Sequence, residues 1–111
     1  MNRSILEDRI KQRAERISKL KEEKFKIKHK IMYLEYQQIY ADYIVANQDK
    51  FIPHLWFTTP EQFKQQLAEW RAKMEEKYNE FLEQFDKTAK TIATLEKNQE
   101  EDMQKLQELS E

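Results

Sequence analysis

The side chains able to do acid–base or metal chemistry are few in kind and poorly spaced for it. Histidine occurs twice, at His29 and His54. Neither stands in a Glu-x-x-His run, the pairing through which helical bundles hold two irons. The 21 Asp and Glu residues are spread along what reads as helical surface, where a solvated carboxylate is the ordinary state. Ser4, Ser18 and Ser110 lack a neighbouring histidine and acid in sequence to activate them. Cysteine is absent, which removes disulfides, thiolate catalysis and Cys-based zinc sites. Glycine is absent too, where an average chain of this length carries about eight. Without it there is no phosphate-cradling loop, dinucleotide fingerprint or nucleophile elbow. The sequence therefore predicts a non-enzyme with no metal, no cofactor and no small-molecule substrate.

Two groups of residues point instead to contact with another molecule. Tyr33, Tyr36, Tyr40 and Tyr43 form a 3-4-3 stripe with Met32, Ile39 and Ile44 alongside, and Phe51, Ile52, Leu55, Trp56, Phe57, Phe63 and Trp70 follow closely. Tyr and Trp combine a large apolar area with a polar handle and are favoured at interfaces. Tyr33, Tyr36, Tyr40, Tyr43, Phe51, Leu55, Trp56, Phe57, Phe63 and Trp70 are the expected partner-binding residues. The second group is basic: Arg9 to Lys30 holds ten Lys/Arg against three acids, with Lys24, Lys26, Lys28 and Lys30 alternating with other residues. On a helix those four lysines spread around more than half the circumference, so a solvated face explains them most simply. The alternative is contact with a nucleic-acid backbone or an acidic surface, which would be sensitive to salt and blind to sequence.

These residues must be carried by helices. Ser4 followed three residues later by Glu7 reads as a capping box, and nothing interrupts the pattern until Pro53. A proline disfavours helix in the residue before it, so the first helix is expected over 4–51 and a loop over 52–59. Thr59-Pro60-Glu61 then gives an N-cap, a proline at the first helical position and an acid in the first turn. The second helix is expected over 60–109.

Helices this long usually pair along a seam of 3-4 spacing. In the first helix the positions 3, 6, 10, 13, 17, 20, 24, 27, 31, 34, 38, 41 and 45 hold nine apolar residues. In the second, 67, 71, 74, 78, 81, 85, 88, 92, 95, 99, 102, 106 and 109 also hold nine. Folding the chain at its proline-bearing bend sets Leu6 against Leu106, Ile17 against Leu95, Ile31 against Phe81 and Leu34 against Tyr78. Two polar positions also meet their like, Arg13 with Gln99 and Lys24 with Thr88. Slipping the pairing by one heptad would bury Lys24 against Phe81 and Leu34 against Arg71, which is costly. The acids of 96–111 would lie beside Arg3, Arg9, Lys11, Arg13 and Arg16, with a modest effect because exposed pairs are weak.

The expected fold is all-α: a single domain over 1–111, an antiparallel two-helix coiled-coil hairpin, with dimerisation into a four-helix bundle as an extension. Net charge is −1, so no overall field draws the chain to nucleic acid or anionic lipid. No apolar run approaches the roughly 18 residues of a membrane span. The first twenty residues are basic and amphipathic, but Glu7, Asp8 and Glu15 depart from an acid-poor presequence, and a signal-peptide core is lacking. An intracellular protein, soluble or bound in a complex, is expected. Its expected role is assembly or adaptation, docking a protein partner or a second copy through the aromatic-rich end. A nucleic-acid accessory role is the second choice.

Overall fold

The structure, a computed structural model, describes residues 2–54 and 58–110, the side chain of His54 excepted. Leu55, Trp56 and Phe57 lie outside the described residues. The described chain is all helical: α1 over Arg3–Ala46, α2 over Gln48–Phe51, a 3₁₀ turn over Ile52–His54, and α3 over Pro60–Ser110. No described residue is in a strand, and among the described residues no helix is long and apolar enough to cross a membrane.

The first helix starts earlier and is interrupted sooner than its sequence suggests. Asn2, not Ser4, is the cap: its Oδ1 accepts from the Ser4 backbone N–H at 2.9 Å, and its carbonyl accepts from Leu6 at 3.1 Å. Asn caps as well as Ser, and capping two residues earlier satisfies the free Ser4 N–H while leaving Glu7 to accept from Arg3 Nε at 3.0 Å. The expected continuous helix to residue 51 is broken at Asn47, which has φ −117° and ψ 24°. Its side-chain Nδ2 donates to the Tyr43 carbonyl at 2.8 Å, the same carbonyl its own backbone N–H reaches at 3.1 Å. Asn offers the backbone a local alternative to the helical ladder. The chain resumes as α2, and Ile52 stays helical (φ −53°, ψ −44°) even though Pro53 follows. The proline's steric preference is thus overridden, and the break falls five residues earlier than a proline-based reading places it.

The start of α3 forms as expected and carries one bond more. Thr59 Oγ1 accepts from the Gln62 N–H, and Gln62 Oε1 accepts from the Thr59 N–H, each at 3.1 Å. This is a reciprocal capping box, with Pro60 at the position where a missing N–H costs nothing. Thr59→Ala is expected to cost about 1 kcal/mol, a fall of about 4 °C in the thermal midpoint read by circular dichroism.

The chain divides into two compact units. The first comprises Met1–Lys28 and Gln84–Glu111. Its buried residues are Leu6, Ile17, Ile92 and Asp102. Arg9 and Arg13 both reach Asp102, Arg13 also reaches Gln99, and Lys21 reaches Glu96. The α1 and α3 segments of this unit therefore run in opposite senses. At the polar layer expected from Lys24 and Thr88, each side chain has a partner other than the opposite one. Lys24 Nζ sits 5.3 Å from the centre of the Phe85 ring, and the Thr88 hydroxyl donates to its own helix at Gln84. A lysine stem over an aromatic face keeps its charge near water.

The second unit is His29–Glu83. Leu34, Ala41 and Met74 form its buried cluster, with Trp70, Tyr78 and Phe81 packed against it. Around this cluster Lys30 lies over Phe81, Tyr78 donates to Glu35, and Arg71 pairs with Asp42. All nine buried described residues, the eight apolar ones and Asp102, occupy positions of the two 3-4 spacings. Only the outlying Arg3, Arg71 and Leu109 of those positions are exposed.

Candidate interaction surface

Tyr33, Tyr36, Tyr40 and Tyr43 are each more than half exposed, Tyr36 most of all at 76%. They belong to the second unit, and α1 turns them away from its core. At about 100° of rotation per residue, Tyr36 and Tyr43 stand roughly opposite Leu34, Ala41 and the half-buried Val45 on the same helix. Met32 and Ile39, likewise more than half exposed, share their side. A second 3-4 repeat emerges: Met32, Tyr36, Ile39 and Tyr43 are spaced 4-3-4, with Tyr33 and Tyr40 flanking. In sequence the tyrosines form the stripe and Met32 and Ile39 stand alongside it. The 4-3-4 repeat emerges once the core-facing positions are subtracted.

The remaining expected contact residues are placed differently. Phe51 is half buried, its ring edge-on to Tyr43 with centroids 6.3 Å apart. Ile44, Ile52 and Phe63 are half buried as well. Trp70 packs against the Leu34–Ala41–Met74 cluster and so contributes to the unit's interior. Leu55, Trp56 and Phe57 lie outside the described residues. Of the basic group, Lys26, Lys28 and Lys30 are exposed and Lys24 is half buried. Lys24 and Lys30 each cover an aromatic ring of α3, Phe85 and Phe81.

The strongest electrostatic feature lies in the first unit. Asp102 is 4% exposed. Arg9 donates to both of its oxygens, Nη2 to Oδ1 at 2.7 Å and Nε to Oδ2 at 2.9 Å, and Arg13 Nη1 adds a third bond at 2.7 Å. Arg13 also donates to Gln99 Oε1, and Gln99 Nε2 donates to the Ile10 carbonyl at 2.6 Å. The expectation of weak, exposed pairs here is corrected: the carboxylate is on the seam. The bonds from Arg9 and then Arg13 hold its pKa below the usual carboxylate value, against the opposing effect of burial. In the second unit the Tyr78 phenol is raised, first by donating to the Glu35 carboxylate and then by burial.

Among the described residues no group of three or more His, Cys, Asp or Glu side chains could hold a metal ion. A groove of the second unit is lined by Gln38, Asp42, Arg71, Met74 and Tyr78. Of its charged groups, Asp42 and Arg71 are paired with each other, and Glu75 stands beside them. Comparison with protein-family models, with curated proteins and with solved structures found no match.

Proposed function

We propose that this chain is a non-enzymatic, intracellular assembly or adaptor protein. In this reading α1 and α3 form an antiparallel coiled-coil hairpin, and the outward face of α1 near the bend docks a protein. The observation that carries it is the exposure of six large apolar side chains on one side of a helix whose other side is already packed. Isolated exposed apolar residues are ordinary, whereas a contiguous patch marks an interaction site or an aggregation liability. The tyrosines suit the first role, because each buries area without losing its hydroxyl's hydrogen bond.

The test is to replace Tyr36 and Tyr40 by Lys, singly and together, and to measure assembly by sedimentation and by co-purification from cells that contain the chain. The double variant is expected to keep its helical circular dichroism and to bind at least about 30-fold more weakly, the effect of losing a central interface residue. Undiminished assembly by a fully helical double variant would show that the contact surface lies elsewhere.

A further inference from the structure

We propose that the occupant of this face is a second copy of the same chain, docked antiparallel about a twofold axis. The inference rests on the docking role proposed above and names its partner.

Three observations single out a second copy. The first is self-complementarity. A twofold interface needs residue i to meet j while j meets i. Centring the axis between Tyr36 and Ile39 achieves this for the whole repeat, with Tyr36 facing Ile39 and Met32 facing Tyr43 of the other copy. Tyr33 and Tyr40 then flank each other. Every layer sets a ring against a slimmer aliphatic chain, with no ring forced onto its own copy.

The second observation is area. Whole aromatic side chains offer roughly 150–250 Å² each. With exposures between 53% and 76%, the six residues present roughly 550–900 Å² per copy, a range that brackets the roughly 800 Å² per partner of a standard stable interface.

The third is charge. In sequence Lys26, Lys28 and Lys30 precede the face, and Asp49 and Lys50 follow it. An antiparallel pairing about this axis brings Lys26 of one copy opposite Asp49 of the other, whereas a parallel one sets three lysines against three lysines. Glu35 and Asp42 come near each other across the axis. Both are already engaged within their own copy, by Tyr78 and Arg71.

The chain has no cysteine, so single cysteines report position cleanly. Sedimentation of the wild-type chain at tens of micromolar is expected to give a dimer. Ile39→Lys, on an exposed position, is expected to raise the dimer Kd at least about 30-fold with helix content unchanged. Mixed Tyr36→Cys and Ile39→Cys chains are expected to cross-link chiefly to each other on mild oxidation. Cross-linking chiefly of Tyr36→Cys to itself would mean a parallel pairing and would overturn the proposal. A wild-type monomer at these concentrations would overturn the second copy as occupant. The docking role would then stand or fall on whether Tyr36→Lys still abolishes binding of a foreign protein. A dimer indifferent to both Tyr36→Lys and Ile39→Lys would overturn the docking face itself along with its occupant.

Discussion

Asp102→Ala is expected to remove about 2–3 kcal/mol of stability and to lower the thermal midpoint by roughly 8–12 °C. Breaking a buried ion pair by deleting one partner usually costs about 3–5 kcal/mol, because the other charge is left buried and unpaired. Here the cost falls at or below the lower end. The Arg9 side chain is 39% exposed and can turn to water, but Arg13, at 15%, keeps only Gln99. The same carboxylate sets a pH dependence whose sign follows from its lowered pKa. A group depressed in the folded state stabilises fully above its unfolded value, about 3.9 for Asp. That contribution is lost as pH falls from there through the lower folded value. Wild-type stability should therefore drop more steeply than that of Asp102→Asn as pH falls below about 4. Urea titrations followed by circular dichroism across that window measure both effects. A loss below about 1 kcal/mol for the alanine variant, or parallel acid profiles for wild type and Asp102→Asn, would mean the ion cluster is not formed.

Leu34→Ala and Tyr36→Ala, two residues apart on α1, are expected to differ sharply. Leu34 is buried with Ala41 and Met74, and truncating it removes apolar burial and leaves a cavity, for about 2–4 kcal/mol. Tyr36 is the most exposed of the tyrosines. Its truncation is expected to change folding stability by no more than about 0.5 kcal/mol at chain concentrations too low for association. The same Tyr36 change should nonetheless be among the most damaging to docking. Denaturant unfolding of the two variants at high dilution separates packing from contact. Equal destabilisation by both would mean that α1 does not present these residues on opposite sides.

The burial pattern was legible because a 3-4 spacing held over many turns has one physical reading: those positions face a neighbouring helix. Leu6, Ile17, Ile31, Leu34, Ala41, Leu67, Met74 and Ile92 all follow it. Arg13 and Gln99 were legible as a matched polar interruption and do bond to each other. Position 102 was legible as part of the seam, but the ion cluster there was not, since an acid in a run of acids looks like solvated charge until Arg9 and Arg13 are seen to converge on it. The break at Asn47 was missed because an asparagine within a helical pattern carries little propensity signal. There its side chain and its backbone N–H share the Tyr43 carbonyl, a local bond that only the folded chain shows. Asn2 displaced Ser4 for a similar reason, two near-equal caps being separable only by which one the first turn engages. Of the expected contact surface, the four tyrosines were legible as apolar excess, whereas Trp70 was not separable in sequence from residues that pack the interior.

The proposal that the tyrosine face is covered by protein is tested most directly by hydroxyl-radical footprinting. Modification of Tyr33, Tyr36, Tyr40 and Tyr43 would be compared between the chain in extracts of its own cells and the purified chain at high dilution. Tyr78, held by Glu35, serves as an internal reference. Docking through this face requires Tyr36 and Tyr43 to be several-fold less reactive in the extract while Tyr78 is unchanged. Equal reactivity of all four in both states would contradict it.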